Sequence, residues 1–427
     1  MYDLVVIGAG WAGFNAALKA KKSGLKVCLV ERGEIGGTCL NRGCIPTKSF
    51  IASAKIYSLI KKSAVFGIDP GSPLIDFNRL KERKEGLVRI LAEGMRSRLS
   101  GVDFVRAEAS IISEGRLEIG GSRVDTKFTL IATGSVPAGL EALKFDGERV
   151  ISSNEALDLD FLPRSLLIIG GGVIGCEFAG FFSALGSDVT IAEKLPSLLP
   201  GEDRDISRKM ETFFKKKGVK VITGTDPLSS DLGVYEKIVV CVGRRPDTAG
   251  LGLDKLGIKF SRGIEVDDFL MTGLNNVYAA GDCTAKRMLA HYAAYQGETA
   301  VENMLSGNKR RAAAQAVPSC VFTDPEIASV GLSEEAASVS GIQVKVHKFD
   351  FRASAMARVS EEAEGFIKIV SRNDSGEILG GCIIGPRATE MIAVLTVAIC
   401  AGMDVERMRQ VIFAHPTISE SLHEALS

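Results

Sequence analysis

The sequence predicts an α/β fold: two Rossmann-like dinucleotide-binding domains followed by a smaller α+β domain. Two copies of one strand–turn–helix–strand unit carry that prediction, together with a final third that has strand and helix patterns but no third copy. In the first copy an apolar strand over 4–7 runs into Gly8, Gly10 and Gly13. A helix to about residue 23 and a strand over 26–30 follow, ending at Glu31. In the second, a strand over 166–169 meets Gly170, Gly172, Val173, Ile174 and Gly175, then a helix to about 185 and a strand over 188–192 that ends at Glu193. Gly8 to Glu31 and Gly170 to Glu193 both span 23 residues. One glycine pattern of this kind marks only a tight turn; two in the same context, with an acid at the same offset, form a specific signal. The glycines let the backbone approach a pyrophosphate held at the helix N-terminus, and the acid accepts hydrogen bonds from ribose hydroxyls. Two dinucleotides are therefore expected. An acid at Glu193 repels a 2′-phosphate and favours NAD over NADP, with the neighbouring Lys194 read as a solvated surface charge.

The remaining elements fall between and after these units. A charged amphipathic stretch over 76–100 reads as a surface helix without chemistry, and a strand over 129–132 ends in the small-residue turn Thr133-Gly134-Ser135. A domain boundary is expected within 145–163. Beyond the second unit lie an amphipathic helix over 203–217, a strand over 219–223 and a strand over 238–242 that closes on Gly243-Arg244-Arg245-Pro246-Asp247. A short strand over 277–280 ends at Gly281-Asp282, and a helix opens near Leu289-Ala290-His291. From about residue 311 the pattern changes to alternating strands such as 365–370 and an apolar helix over 391–400.

Bulk composition excludes several function classes. A chain of 427 residues suggests two to four domains. Its 52 basic and 52 acidic residues, without long runs of one sign, leave no electrostatic footprint for nucleic acid or an anionic membrane. No apolar run reaches membrane-spanning length. Most of the nine cysteines, among them Cys28, Cys176, Cys241, Cys320 and Cys400, sit among apolar neighbours and read as reduced core residues of a cytoplasmic protein. The chain enters its first strand directly after Met1-Tyr2-Asp3, with no leader or transit pattern. No metal site is expected.

Cys39 and Cys44 are different. They stand five apart in Gly36-Gly37-Thr38-Cys39-Leu40-Asn41-Arg42-Gly43-Cys44-Ile45-Pro46-Thr47-Lys48, just after the first fingerprint. In one regular helix their Cα atoms would be roughly 8.6 Å apart, beyond the ~7 Å at which a disulfide closes. A distorted backbone is therefore predicted, with Gly36, Gly37 and Gly43 supplying freedom and Pro46 limiting where a helix begins. A paired thiol beside a dinucleotide implies redox chemistry. Two core thiols or half of a metal site would also supply two cysteines, but no partner ligand cluster lies nearby.

In this order the motifs resemble the flavin-dependent pyridine nucleotide-disulfide oxidoreductases of class I, and among them the dihydrolipoyl dehydrogenases. The resemblance runs nearly end to end, through Glu177 on the second helix, Phe322-Thr323-Asp324-Pro325-Glu326 and His415-Pro416-Thr417-Ile418-Ser419-Glu420. It implies FAD on the first unit, with Gly8, Gly10, Gly13, Glu31, Arg32, Gly37, Thr38, Lys48, Ala109, Thr133, Gly134, Ser135, Gly281, Asp282, Leu289, Ala290 and His291 around it. It implies NAD on the second unit, at Gly170, Gly172, Val173, Ile174, Gly175, Glu193, Gly243 and Arg244. Cys44 corresponds to the flavin-proximal thiol and Cys39 to the interchange thiol. Lys48 and Glu177 match an ion pair near the flavin, and His415 matches a base that is oriented by Glu420 and reaches the partner subunit's disulfide. The implied domains are 1–140 (FAD), 141–257 (NAD), 258–311 (central) and 312–427 (interface), in a homodimer with shared sites that oxidises dihydrolipoamide or a lipoyl-bearing protein and reduces NAD.

Three departures stand out. Phe413 replaces a histidine usual in the family, the stretch between residues 223 and 237 is shorter than usual, and Trp11, the only tryptophan, replaces a small residue and is read as packing near the FAD pyrophosphate. The alternative readings are a glutathione-type or mercuric reductase and a slow flavin-binding redox sensor. The first is disfavoured by Glu193 and by a C-terminus without vicinal cysteines, the second by the complete set of thiols, base and acid.

Overall fold

The computed structural model describes residues 1–229, 231–314 and 316–427. The first unit consists of β1 (Tyr2–Ile7), α1 (Trp11–Lys22) and β2 (Val27–Glu31), with β1 and β2 parallel in the register Leu4↔Val27 to Ile7↔Val30. Their apolar runs are continuous because both faces of the strands are covered. The chain then forms α2 (Gly37–Asn41), α3 (Cys44–Lys62) and α4 (Phe77–Arg98), and returns through β3 (Asp103–Arg106), β4 (Ala109–Ser113), β5 (Arg116–Ile119) and β6 (Ser122–Ile131). The sheet order is β3-β2-β1-β6-β5-β4, in which β4 to β6 form an antiparallel meander that the sequence did not announce. Helix α4 has more contacts than a surface helix: Lys84 is buried and donates to the Leu157 carbonyl (2.9 Å) and to Asp158 (2.9 Å).

The short strand β7 (Ser135–Pro137) leads to the second unit, which comprises β8 (Val150–Ser152), α5 (Ser153–Ala156), β9 (Ser165–Ile169), α6 (Val173–Leu185), β10 (Asp188–Glu193), α7 (Arg204–Lys216), β11 (Lys220–Thr223) and β12 (Lys237–Val240). Its five strands, in the order β11-β10-β9-β12-β8, are all parallel. Between β11 and β12 the described residues form only two short 3-10 turns, so this sheet lacks an antiparallel excursion there. Strand β13 (Arg244–Pro246) pairs antiparallel with β7, and β14 (Val277–Ala279) rejoins the first sheet beside β6.

The fingerprint turns of the two units share their backbone geometry. Gly8 has φ +106° and Gly170 has φ +107°, a conformation suited to glycine. A Cβ on Gly13 would lie 1.8 Å from the Gly8 oxygen, and one on Gly175 would lie 2.0 Å from the Gly170 oxygen, so strand and helix meet there at backbone distance. By contrast, a Cβ on Gly172 would meet nothing within 4 Å. Gly175→Ala should therefore destabilise the protein by about 3 kcal/mol while Gly172→Ala leaves the thermal midpoint almost unchanged; equal midpoints for the two variants would refute this reading of the turn.

Helix α8 (Ala290–Ser306) leads to an antiparallel sheet of β15 (Ser319–Val321), β16 (Glu326–Gly331), β17 (Val344–Asp350), β18 (Phe366–Arg372) and β19 (Ile378–Gly385), ordered β15-β16-β19-β18-β17 and covered by the helix Ala388–Cys400. Two expectations are corrected here. Strand β18 does not alternate between core and solvent: six of its seven residues are buried, and Lys368 within it is 3% exposed. Its ammonium reaches Asp203 (2.9 Å) and Asp205 (2.9 Å) at the start of α7, so a buried cation ties the third sheet to the second domain. Cys400 lies on the exposed face of its helix, and Cys320 is half-buried; Cys28, Cys176 and Cys241 are buried as expected. Among the described residues, no helix is long and apolar enough to cross a membrane.

Candidate active site

The distortion predicted between the two cysteines is a helix break. Gly36 (φ +93°) starts α2, Arg42 and Gly43 leave the helical region, and α3 begins at Cys44 with Pro46 in its first turn. Cys39 and Cys44 are both free thiols and are hydrogen-bonded to each other. The hydrogen bond from Cys39 brings the Cys44 thiol down to about 7, against a burial penalty and with help from the Lys48 charge. The same hydrogen bond, together with burial, pushes Cys39 up, so the pair favours negative charge on Cys44 over Cys39. Cys44 also occupies the first position of a 19-residue helix, whose N-terminal amides favour an anion.

Lys48 lies one turn beyond Cys44. Its Nζ contacts both carboxylate oxygens of Glu177 at 2.8 Å and sits 4.5 Å from the centre of the Phe322 ring. Glu177 is 3% exposed and also accepts the Phe322 amide at 2.9 Å. The pair is brought together because α3 packs on α6 through the stacked rings of Phe50 and Phe181, 4.9 Å apart. Lys48→Met should move the Cys44 midpoint upward from about 7. The pH dependence of iodoacetamide alkylation of the reduced protein would report this; an unchanged midpoint would show that the lysine does not act on that thiol.

The first fingerprint opens on a cleft of about 430 Å³ lined by Gly8, Glu31, Arg32, Ala109, Thr133 and Asp247, among others. Glu31 accepts from the amides of Ala9 (2.8 Å) and Gly33 (2.7 Å), which locks the acid to the phosphate turn. In the second unit Glu193 repeats this with Gly171 (2.6 Å) and Leu195 (2.7 Å). Arg32 pairs with Asp247, whose carbonyl accepts the Thr133 hydroxyl at 2.6 Å, closing one wall of the cleft. Gly37 packs directly on Gly10, since a Cβ there would be 2.8 Å from the Gly10 Cα; the redox turn and the fingerprint are thus one surface.

A polar chain crosses the domains. The Arg244 guanidinium donates to the Ser135 hydroxyl (2.8 Å) and carbonyl (2.7 Å) and to Thr38 (3.2 Å), and Ser135 donates to Asp282 at 2.6 Å. Gly134, Gly243 and Gly281 all take positive φ at the turns that present these groups, and the Gly281 amide is held by Gln296. Leu289 caps α8, where Ala290 begins, and the His291 ring contacts the Pro318 carbonyl. In the second unit Val173 is exposed at the start of α6 while Ile174 turns into the core. A second cleft, about 490 Å³, opens at Gly172 and Val173.

His415 is 76% exposed, and its Nδ1 lies 2.8 Å from Glu420, which also accepts the Thr417 amide. Among the described residues no hydrogen bond or ion pair joins it to Cys39 or Cys44. Phe413 packs on the apolar core of the antiparallel C-terminal sheet, with its ring 6.4 Å from that of His423. Trp11 lies beside the redox turn: its Nε1 is buried without a strict hydrogen-bond partner among the described residues, and the indole favours the Cys39 thiolate. Sequence reasoning missed that contact, and it also missed the closure of Arg32 on Asp247; the extra Asp after Arg244-Arg245-Pro246 was the available signal for the latter.

The first fingerprint and the cleft leading from it to Ala109 fit a flavin dinucleotide, and the second fingerprint with Glu193 fits a nicotinamide dinucleotide. Residues 2–297 match the family described as pyridine nucleotide-disulphide oxidoreductase, and residues 317–426 match its dimerisation domain. The chain is 38% identical to a dihydrolipoyl dehydrogenase of Bacillus subtilis strain 168, covering 99% of this chain and 97% of the relative. It is 39% identical to one from Chlamydia muridarum, covering 98% and 95%. Among solved structures it resembles LpdA from Mycobacterium tuberculosis (TM-score 0.90, 29% identity, 99% and 98% covered) and the HOCl-induced flavoprotein disulfide reductase RclA from Escherichia coli (TM-score 0.88, 29% identity, 100% and 99% covered).

Proposed function

The chain belongs to the pyridine nucleotide-disulphide oxidoreductases, and from that membership we propose that it is an NAD-dependent dihydrolipoyl dehydrogenase that oxidises dihydrolipoamide, free or carried on a lipoyl-bearing protein. The observation that carries the proposal is the Cys39–Cys44 dithiol, joined to the first dinucleotide turn and polarised toward a Cys44 thiolate. FAD, which Gly8, Glu31 and Asp282 would hold on the first unit, would supply acceptance of an electron pair from this dithiol and hydride transfer to NAD.

In the oxidised enzyme His415 takes the proton of one substrate thiol, with Glu420 holding the imidazole. The substrate thiolate attacks Cys39; the Cys39–Cys44 bond breaks and Cys44 leaves as a thiolate facing Lys48 and the α3 N-terminus. The second substrate thiol then attacks the substrate sulfur of the mixed disulfide and Cys39 leaves; His415 passes the proton it holds to Cys39 and takes up that of the second thiol. Exposure of His415, with Val397 (65%) and Ile412 (95%) on the same domain, supports a homodimer in which each imidazole serves the other copy's disulfide. We assign 1–140 to FAD, 141–257 to NAD, 258–311 to completion of the FAD site through β14, and 312–427 to the interface.

Steady-state rates with dihydrolipoamide and NAD should exceed those with glutathione disulfide, mercuric ion or Cu(II) under either nicotinamide by at least about 100-fold; a faster rate with any of the others would replace this reading. Because Glu193 closes the second dinucleotide strand, Glu193→Arg should reduce the NAD over NADP preference by about tenfold or more, and unchanged selectivity would assign it to another residue.

A further inference from the structure

The cleft at the second fingerprint is lined by two chemically different groups. The backbone of Gly172 and Val173 opens α6, and Arg287, free of ion pairs among the described residues, lines the same space. These suit a phosphate. Glu202, on the same cleft, presents a carboxyl group whose Oε1 accepts the Ser319 hydroxyl at 3.1 Å, while its Oε2 is buried with no partner among the described residues. Ser329 also faces this carboxyl, and burial raises it above the ordinary carboxylate range. A buried, half-satisfied carboxyl repels anions and favours a neutral or cationic group that can hydrogen-bond.

The cleft's position matches that polarity. Glu193, which holds the ribose of the adenosine half under the function proposed above, lies on the strand side of the fingerprint. The lining residue Ser319 begins β15, which runs on to Phe322, whose amide binds Glu177 of the Lys48 pair. A ligand seated with its phosphate at Gly172 shares this cleft with Ser319, whose strand leads to the redox centre. The nicotinamide half of NAD has a phosphate at one end and a cationic ring with a carboxamide at the other. We propose that Glu202 is a specificity residue that hydrogen-bonds the carboxamide of the nicotinamide ring, with Ser319 orienting its carboxyl group.

This rests on the dinucleotide assignment of the second unit, and the test separates the two. Binding of NAD and of ADP-ribose, which lacks the nicotinamide, would be measured by calorimetry on the oxidised holoenzyme and on Glu202→Leu and Glu202→Gln proteins of matched flavin content and thermal midpoint. Glu202→Leu should weaken NAD about tenfold and ADP-ribose less than twofold, while Glu202→Gln keeps NAD affinity within about threefold. The proposal falls if Glu202→Leu leaves NAD affinity unchanged, if it weakens both ligands alike, or if Glu202→Gln is as damaging as Glu202→Leu. A wild-type protein that binds neither ligand would overturn the dinucleotide assignment, and the Glu202 role with it.

Discussion

Cys39→Ser should lower dihydrolipoamide–NAD turnover by about 10⁴-fold or more while leaving flavin content and the thermal midpoint unchanged. The size of the effect follows from chemistry that no neighbour can replace. Serine cannot form a mixed disulfide, and Cys44 lies at the head of α3 beside Lys48, where its charge is held. Stability should not fall, because the helix break depends on Gly36, Gly43 and Pro46 and not on an S–S bond. The measurement is a progress curve of NADH formation at saturating dithiol, paired with reduction of a quinone dye by NADH. Dye reduction should persist, since it bypasses the thiols. Loss of both activities would mean that the variant damages the flavin site, and retention of dithiol oxidation would remove Cys39 from its assigned role.

The second large effect is expected at His415. Replacing it with glutamine removes both the base for the incoming thiol and the acid for the departing one, which predicts a loss of about 10²- to 10⁴-fold. The imidazole is solvent-facing and, among the described residues, is held by Glu420 alone, so the variant should fold normally. The proposed sharing of the site between subunits makes a sharper test. Hybrid dimers containing one Cys39→Ser protomer and one His415→Gln protomer have one damaged disulfide and one damaged base. If the base acts across the interface, both defects fall on the same site and the other site stays intact, giving about half of wild-type activity per dimer. If it acts within its own chain, both sites are impaired and activity stays near background.

Much of the fold was legible because its main units have a strong local signature. Gly8 and Gly170, or Gly13 and Gly175, occupy turns where a side chain would strike backbone, so the sequence has no freedom there and the motif stands out. The break between Cys39 and Cys44 followed from helix geometry alone. The missed features depend on distant residues. That Lys368 is buried becomes visible only when β18 lies against Asp203 and Asp205, more than 160 positions away. Glu202 is an ordinary surface-looking acid until Ser319 arrives from the third sheet. The meander β4 to β6 is too short and too mixed in polarity to differ from loop in the sequence. At the site, the thiols, the Lys48–Glu177 pair and the His415–Glu420 pair were all readable, whereas the indole contact of Trp11 with Cys39 needed the packing of Gly37 on Gly10.

The chain of hydrogen bonds through Arg244 also bears on the order in which the protein is made. During synthesis Cys39 and Cys44 emerge first, while Glu177, Arg244, Asp282 and His415 follow over most of the remaining chain. Thr38 cannot meet its guanidinium partner, nor Ser135 be held between Arg244 and Asp282, until the ribosome has released both later segments. A partly translated chain therefore displays the two thiols and Lys48 before Glu177 and His415 exist to meet them. Under the proposed mechanism the exchange also needs His415, so it begins only once nearly the whole chain has been made.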